Sequence, residues 1–304
     1  MPTDSSRSLI DLDHPMLKVH DLEQARQAFQ RLGFTVTPLR SNEPMGGGST
    51  GGRGGNHMVM LTPQTDGTTN MLELAYADPA HAWPALQTLL GGPEGIALLV
   101  HSPRSAVALR DEWEAAGIEC DPVFEVRNTF TDPETGHQDL IHFRVAQPSG
   151  RDWLIPFGAA EIFDFEHYLR ADWRAHDNGA IFWSDIELIV PASAIESGLA
   201  HLRKVYAVDP ALQADGTHRL QIHRLRLHLL NHEQARERHP GISLRTRDAE
   251  ICHTALTIQV ADVAATRQLL EERRVPHAVR DDGSLAVAPA EACGTLLNFV
   301  QAAS

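Results

Sequence analysis

The chain has 304 residues, 42% hydrophobic and 22% charged, which is enough apolar material for one or two folded domains and excludes an intrinsically disordered chain. Its apolar runs, such as Ile96 to Val100, are far shorter than the roughly 20 residues that span a bilayer, and a formal net charge of −14 opposes attraction to nucleic acid or anionic membranes. Cys120, Cys252 and Cys293 have neither redox nor metal spacing and Met1 to Ser8 lacks a signal-peptide pattern, so a cytoplasmic setting is expected, with the cysteines buried in strands.

One unit recurs four times at a period of roughly 70 to 80 residues. The first copy opens with Asp13-His14-Pro15-Met16-Leu17-Lys18-Val19, whose alternation predicts a strand with one buried face. Asp21 is placed to cap a helix carrying Leu22, Ala25, Ala28, Phe29 and Leu32, and Gly33 to end it in the left-handed conformation. Strands are predicted over Phe34 to Pro38, His57 to Leu61 and Met71 to Tyr76, with Asp66-Gly67 as a turn, giving the order βαβββ. The glycine-rich stretch at residues 46–55 is expected to be a mobile loop.

The second copy predicts a strand at Ile96 to Val100 and a helix through Ala106, Leu109, Trp113 and Ala116 that Gly117 closes. Its later strands are predicted near Ile118 to Phe124, Leu140 to Val145 and Trp153 to Phe157. A packed linker with Phe163, Phe165, Tyr168 and Trp173 follows, so a boundary near residue 178 divides the chain into domains 1–178 and 179–304. The third copy starts at Asp185 to Val190 and continues through Ile195, Leu199 and Leu202 at helical spacing, while His and Arg alternating with Leu blur its later strands. The fourth runs from Thr254 to Val260 through the cap Asp262 and a helix, then Val275 to Val279, the turn Asp282-Gly283, Leu285 to Ala288 and Thr295 to Val300.

Asp13-His14-x-x-Leu17-x-Val19, Asp21-Leu22-Glu23-x-Ala25 and Leu32-Gly33-Phe34 together resemble the opening of the vicinal oxygen chelate superfamily, which includes glyoxalase I, type I extradiol dioxygenases and fosfomycin-resistance proteins. Ala292-Cys293-Gly294-Thr295-Leu296-Leu297-Asn298-Phe299-Val300 resembles the final strand of that superfamily. Gly54-Gly55-Asn56-His57, Met71-Leu72-Glu73-Leu74 and His176-Asp177-Asn178-Gly179-Ala180 are similar to its glyoxalase-like domain proteins. The resemblance implies an α+β fold in which four βαβββ modules pair into two half-open β-barrel domains with flanking helices. It also implies metal ligands on the first and fourth strands of paired modules, where inward-facing positions converge.

On that pattern His14 and Glu73 occupy a ligand pair suited to Zn, Fe, Mn, Ni or Co, and Glu73 is also a candidate general base. The matching strands of the second module, Gly95 to Val100 and Trp153 to Phe157, offer no ligand, so His57 or His142 is the expected third donor. Asn56, Arg127 and Asn128 are candidate substrate contacts, and Asp132, Glu134 and His137 read as a solvated turn. A weaker second site combines Asp185 or Glu187 with His228, His253 and Asn298, although His253 is two residues out of step with His14 and Asn298 replaces a carboxylate. The cluster His218, His223, His228, His232 and His239 reads as a solvated strand face, and Gly46 to Gly51 lacks the lysine of a phosphate-binding loop.

The expected function is a glyoxalase-like enzyme that uses a divalent metal ion to chelate and polarise a small oxygenated substrate, with isomerase or lyase chemistry. The alternatives are a metal-free small-molecule binding or sequestration protein and an extradiol-type dioxygenase. No nucleic-acid or membrane partner is expected; a chain with two internal barrels needs no partner to complete a module pair, which leaves a homodimer open.

Overall fold

The computed structural model describes residues 8–41, 54–64, 67–77, 93–132, 135–150, 153–244 and 253–303. The first module comprises β1 (Leu9–Lys18), α1 (Leu22–Arg31), β2 (Arg40–Ser41), β3 (Gly54–Met60) and β4 (Met71–Ala77). The second comprises β5 (Gly95–Pro103), α2 (Ala106–Ala115), β6 (Phe124–Thr131), β7 (Gln138–Ala146) and β8 (Phe157–Ile162). After a linker with two 3-10 turns, Phe165–Leu169 and Asp172–Arg174, come β9 (Ala180–Val190), α3 (Ile195–Tyr206), β10 (Ala211–Leu212), β11 (His218–Ile222) and β12 (Leu225–Asn231). A short helix α4 (His232–Arg238) precedes β13 (His253–Val260), α5 (Val263–Glu272), β14 (Ala278–Val279), β15 (Leu285–Val287) and β16 (Leu296–Gln301).

The modules pair into two eight-stranded curled sheets with the same permuted order, β2-β3-β4-β1-β5-β8-β7-β6 and β10-β11-β12-β9-β13-β16-β15-β14. Each module places its first strand parallel to its fourth, and paired modules meet first strand to first strand, antiparallel, along β1–β5 and β9–β13. This is the α+β architecture of paired half-barrels that the family resemblance implies for four βαβββ modules.

Side chains alternate across each sheet. Leu12, Leu17, Val59, Leu72 and Leu74 point outward and pack with Phe29 and Leu32 of α1, in a core that also holds Leu109 and Trp113 of α2 and residues of the second half. Met58, Met60, Met71, Phe130, Ile141 and Ile162 form a separate inner cluster in the first barrel, joined by Tyr168 and Trp173 of the linker. His101 links the halves: its Nδ1 donates to Gly158 O at 2.7 Å and its Nε2 accepts from the Tyr206 hydroxyl at 2.8 Å. Among the described residues no helix is long and apolar enough to cross a membrane.

Several element boundaries differ from the sequence expectation. Phe34 to Pro38 is not a strand, β6 begins only at Phe124, and β14 is limited to Ala278–Val279. The apolar residues that mimic strand starts are helix-closing residues: Phe34 N, Ile118 N and Val275 N donate back to Phe29 O, Trp113 O and Leu270 O, the longer bond of a Schellman motif. Trp153 to Pro156 is likewise not a strand, because Leu154 N donates to His201 Nδ1 and Trp153 packs on that ring, docking the segment on α3. The blurred stretch from His218 to Leu230 is a hairpin, β11 and β12, turned at His223 with φ of 47°. Cys120 is buried, Cys293 lies in the turn before β16 rather than in a strand, and Cys252 is outside the described residues, as is the glycine-rich stretch before Gly54.

Candidate functional site

The first barrel assembles its polar centre where β1, β3 and β4 meet. His14 and Met16 lie on the inner face of β1, and Met16 pairs with Glu73 of β4. Asn56 and Met58 lie on the same face of β3, with Met58 opposite Glu73. The sequence therefore brings His14, Asn56 and Glu73 together through the alternation of three neighbouring strands.

His14 sits between two carboxylates. Its Nδ1 donates to Asp13 Oδ1 at 2.7 Å, and its Nε2 stands 3.4 Å from Glu73 Oε2. Asp13 is fully buried and also accepts from the Ser102 hydroxyl at 2.6 Å and from Thr69. Burial works against the charged imidazole, but the hydrogen bonds to Asp13 and Glu73 outweigh it and push the His14 pKa up to about 9. Burial likewise opposes ionisation of Asp13 and Glu73, and hydrogen bonding to His14 overrides it, holding both carboxyls below their ordinary range. Asn56 Nδ2 donates to Glu73 Oε1 at 2.7 Å, whereas Asn56 Oδ1 is buried without a hydrogen-bond partner.

This arrangement suits a divalent ion. Two donors that share an ion at about 2.1 Å with a tetrahedral angle stand about 3.4 Å apart, the separation of His14 Nε2 and Glu73 Oε2. Asp13 fixes the His14 ring as an outer-sphere carboxylate does at metal centres, and Asn56 Oδ1 is a buried acceptor in need of a partner. Among the described residues no group of three or more His, Cys, Asp or Glu is placed to hold an ion, so the residues that could hold one here are His14 and Glu73 with the Asn56 amide oxygen.

The other expected ligands lie elsewhere. His57 pairs with Leu74 on the outer face of the sheet, where Nδ1 donates to Thr37 O at 2.8 Å. With His20, Glu23, Arg26 and Thr37 it lines a cleft of about 850 Å³, and its side chain points to the opposite face of the sheet from Glu73. His142 faces outward from β7, 2.9 Å from Glu125 and against the Phe163 ring. Arg127 also faces outward and pairs with Glu125, while Asn128 shares the inner face of β6 with Phe130. In the second module Leu98 and Gly158 stand where His14 and Glu73 stand in the first, because Met16 opposes Leu98 across β1–β5 and Val100 pairs with Gly158 as Met16 pairs with Glu73. The later start of β8 brings Glu161 into that strand, but its carboxylate caps α2 by accepting from Ala106 N at 2.9 Å.

Two inner-face groups escape the sequence reading. Arg40 pairs with Asn56 across β2–β3, and its buried guanidinium lies over Phe130 and Tyr168 at 5.2 and 5.3 Å. His167 of the linker accepts from Arg40 and donates to Asp139 at 2.8 Å. The chain can reach this close because of Gly55, where a Cβ would stand 2.5 Å from Arg40 O.

The second barrel carries a rearranged counterpart. Asp185 occupies the His14 position and His228 the Glu73 position, with His228 Nε2 2.9 Å from Asp185 Oδ1. Glu187 meets His239 Nε2 at 2.6 Å and Arg238 at 3.2 Å, while Arg280 reaches His239 and Asn298, the latter at 2.8 Å. Chain from α4 and its exit therefore fills this site with protein partners, and His228 and His239 belong to the barrel interior rather than to a solvated face. Ala255, not His253, stands in step with His14; the His253 side chain is outside the described residues.

No curated protein matches the chain in sequence. In structure it is similar to a hypothetical protein from Staphylococcus aureus, with a TM-score of 0.62 at 9% identity over 96% of this chain and 99% of that one. A triple mutant of 4-hydroxymandelate synthase from Streptomyces coelicolor aligns with a TM-score of 0.53 at 11% identity, over 97% and 93% of the two chains. A fusion of a xylose isomerase-like TIM barrel with 4-hydroxyphenylpyruvate dioxygenase aligns with a TM-score of 0.52 at 11% identity, over 97% of this chain and 49% of that one. The model of the glyoxalase-like domain matches residues 12–202, which span the first barrel, the linker and the start of the third module, and the chain belongs to that family.

Proposed function

We propose that the chain is a metal-dependent enzyme of the glyoxalase-like type whose active site is the inner face of the first barrel. The observation that carries this reading is the buried line Asp13, His14, Glu73, with His14 Nε2 and Glu73 Oε2 converging at 3.4 Å beside the unpartnered Oδ1 of Asn56. A bound divalent ion supplies Lewis acidity toward a carbonyl or hydroxyl oxygen of a small substrate. Asp13 keeps the proton on Nδ1, so a bound ion would take the place of the proton that Nε2 of His14 shares with Glu73. Asn56 anchors Oε1 of Glu73 and leaves Oε2 to bind the ion or to take a substrate proton. Met58, Met60 and Phe130 wall the site with apolar surface that excludes water and strengthens each polar contact.

Elemental analysis of protein purified without chelator tests this directly. The native chain and His253→Ala are expected to carry near-stoichiometric metal, and His14→Ala to lose it while keeping its secondary structure by circular dichroism. A native chain that takes up no metal after reconstitution overturns the proposal in favour of a metal-free binding protein. That second reading draws support from Leu98 and Gly158, which leave half of the paired ligand positions without donors. A dioxygenase, the activity that one structural neighbour's title names, finds less support, because a second imidazole has no place at Leu98 and Asn298 stands at the second barrel's carboxylate position.

A further inference from the structure

We propose that Arg40 is the anion-recognising residue of the first barrel and that the ligand it selects is a small organic carboxylate. This deepens the reading above and rests on it for the location of the site. Arg40 is only 8% exposed, and its place in the β2–β3 ladder sets it beside Asn56, which holds Glu73.

A guanidinium so deeply buried is costly unless an anion or a full set of acceptors meets it. Arg40 has neither. Among the described residues no carboxylate oxygen lies within 4.0 Å of it, and its Nε is buried without a hydrogen-bond partner. Its terminal nitrogen donates to His167 Nε2, and His167 gives its own Nδ1 proton to Asp139, so that ring meets Arg40 as a neutral acceptor. The Tyr168 hydroxyl is a further neutral partner, and Glu73 feels the guanidinium's charge without forming an ion pair with it. Glu73 is engaged by His14 and Asn56.

The surroundings select the kind of anion. Phe130 and Tyr168 lie against the guanidinium, so hydrogen bonds are made in its plane, where a planar carboxylate matches the donor geometry. Met58, Met60 and Phe130 supply apolar surface for the organic part of such a ligand and none of the further donors a free phosphate needs. With its carboxylate on Arg40, the ligand extends toward Asn56 and Glu73.

The test titrates phenylacetate and its neutral amide, phenylacetamide, into the full-length protein by calorimetry. The native protein is expected to bind phenylacetate about tenfold or more tightly than the amide, the scale of a charge-assisted bidentate contact. Arg40→Gln should lose that preference while retaining its metal, and Arg40→Lys should keep part of it. Equal affinity for acid and amide, binding of neither, or a preference that survives in Arg40→Gln overturns the proposal. If Arg40→Gln fails to fold, judged by thermal unfolding, the native comparison and Arg40→Lys decide alone. Failure of the parent reading looks different: no metal in the native chain together with an Arg40-dependent preference for the acid removes the metal and keeps the anion site.

Discussion

Buried histidines recur in this molecule, and at His101 the hydrogen-bond partners fix which ring nitrogen carries the proton. At His101 the Gly158 carbonyl can only accept, so Nδ1 carries the proton and Nε2 must stay bare to accept from Tyr206. Burial dominates and pushes its pKa from 6.5 down to about 4. Between those values the unfolded chain binds more protons than the folded one, so stability falls as the pH drops through the window and levels off below about 4. For a fully buried imidazole this amounts to about 3 kcal/mol at most. His101→Phe is expected to flatten the acid limb while lowering stability near pH 8 by about 1–3 kcal/mol, because two polar groups lose their partner. Urea titrations across pH measure both effects, and a mutant that keeps the native acid slope refutes the assignment. His167 and His201, also pushed down to about 4 with burial as the main cause, supply the sensitivity that remains. At this scale the sequence exposes His14, Asn56 and Glu73, because strand alternation carries them to one face. It hides Arg40, which stands in a two-residue strand where no alternation can be read, and it hides the outward direction of His57, which one step of register decides.

Helices α1, α2 and α5 close alike, with a residue of positive φ followed by a buried apolar residue that bonds back into the last turn. The same signature explains both the success of the helix predictions and the misplaced second strands, since a buried residue just past a helix reads like the start of a strand. Gly33 and Gly117 are equivalent in this motif, at φ of 92° and 79°, but differ in surroundings. A Cβ at Gly33 would stand 2.7 Å from Asn178 Cβ, whereas at Gly117 it would meet nothing within 4 Å. Asn178 also donates to Leu32 O at 2.9 Å, so the linker is fastened to the end of α1. Gly33→Ala is therefore expected to cost about 2–4 kcal/mol and Gly117→Ala only the backbone share of about 1–2 kcal/mol. Equal losses in urea unfolding would contradict the claim that the linker crowds Gly33.

Two sheets of identical topology have diverged in what fills them. The first keeps polar groups turned inward beneath the aromatic residues of the linker, and the second satisfies its own polar groups with His239, Arg238 and Arg280. The fourfold repeat is legible from sequence because hydrophobic period and turn residues recur in every module. The difference between the barrels is not, because it depends largely on Arg238 of α4 and on His239 just after it, which lie outside the repeat. The seam between β1 and β5 makes one consequence of this architecture practical. Approximate twofold symmetry places Leu98 and Gly158 as the counterparts of His14 and Glu73, which turns completion of the proposed ligand set into a design problem of two substitutions. A Cβ at Gly158 would make only van der Waals contact, with Ala146 O at 3.4 Å and Gln147 Cβ at 3.9 Å, so the backbone there accepts a side chain's first carbon. The double variant Leu98→His, Gly158→Glu is expected to tighten divalent-ion binding about tenfold or more. Unchanged affinity in a metal titration would mean that the two halves of the seam do not converge, and success would make the natural scaffold a template for installing metal chemistry by symmetry.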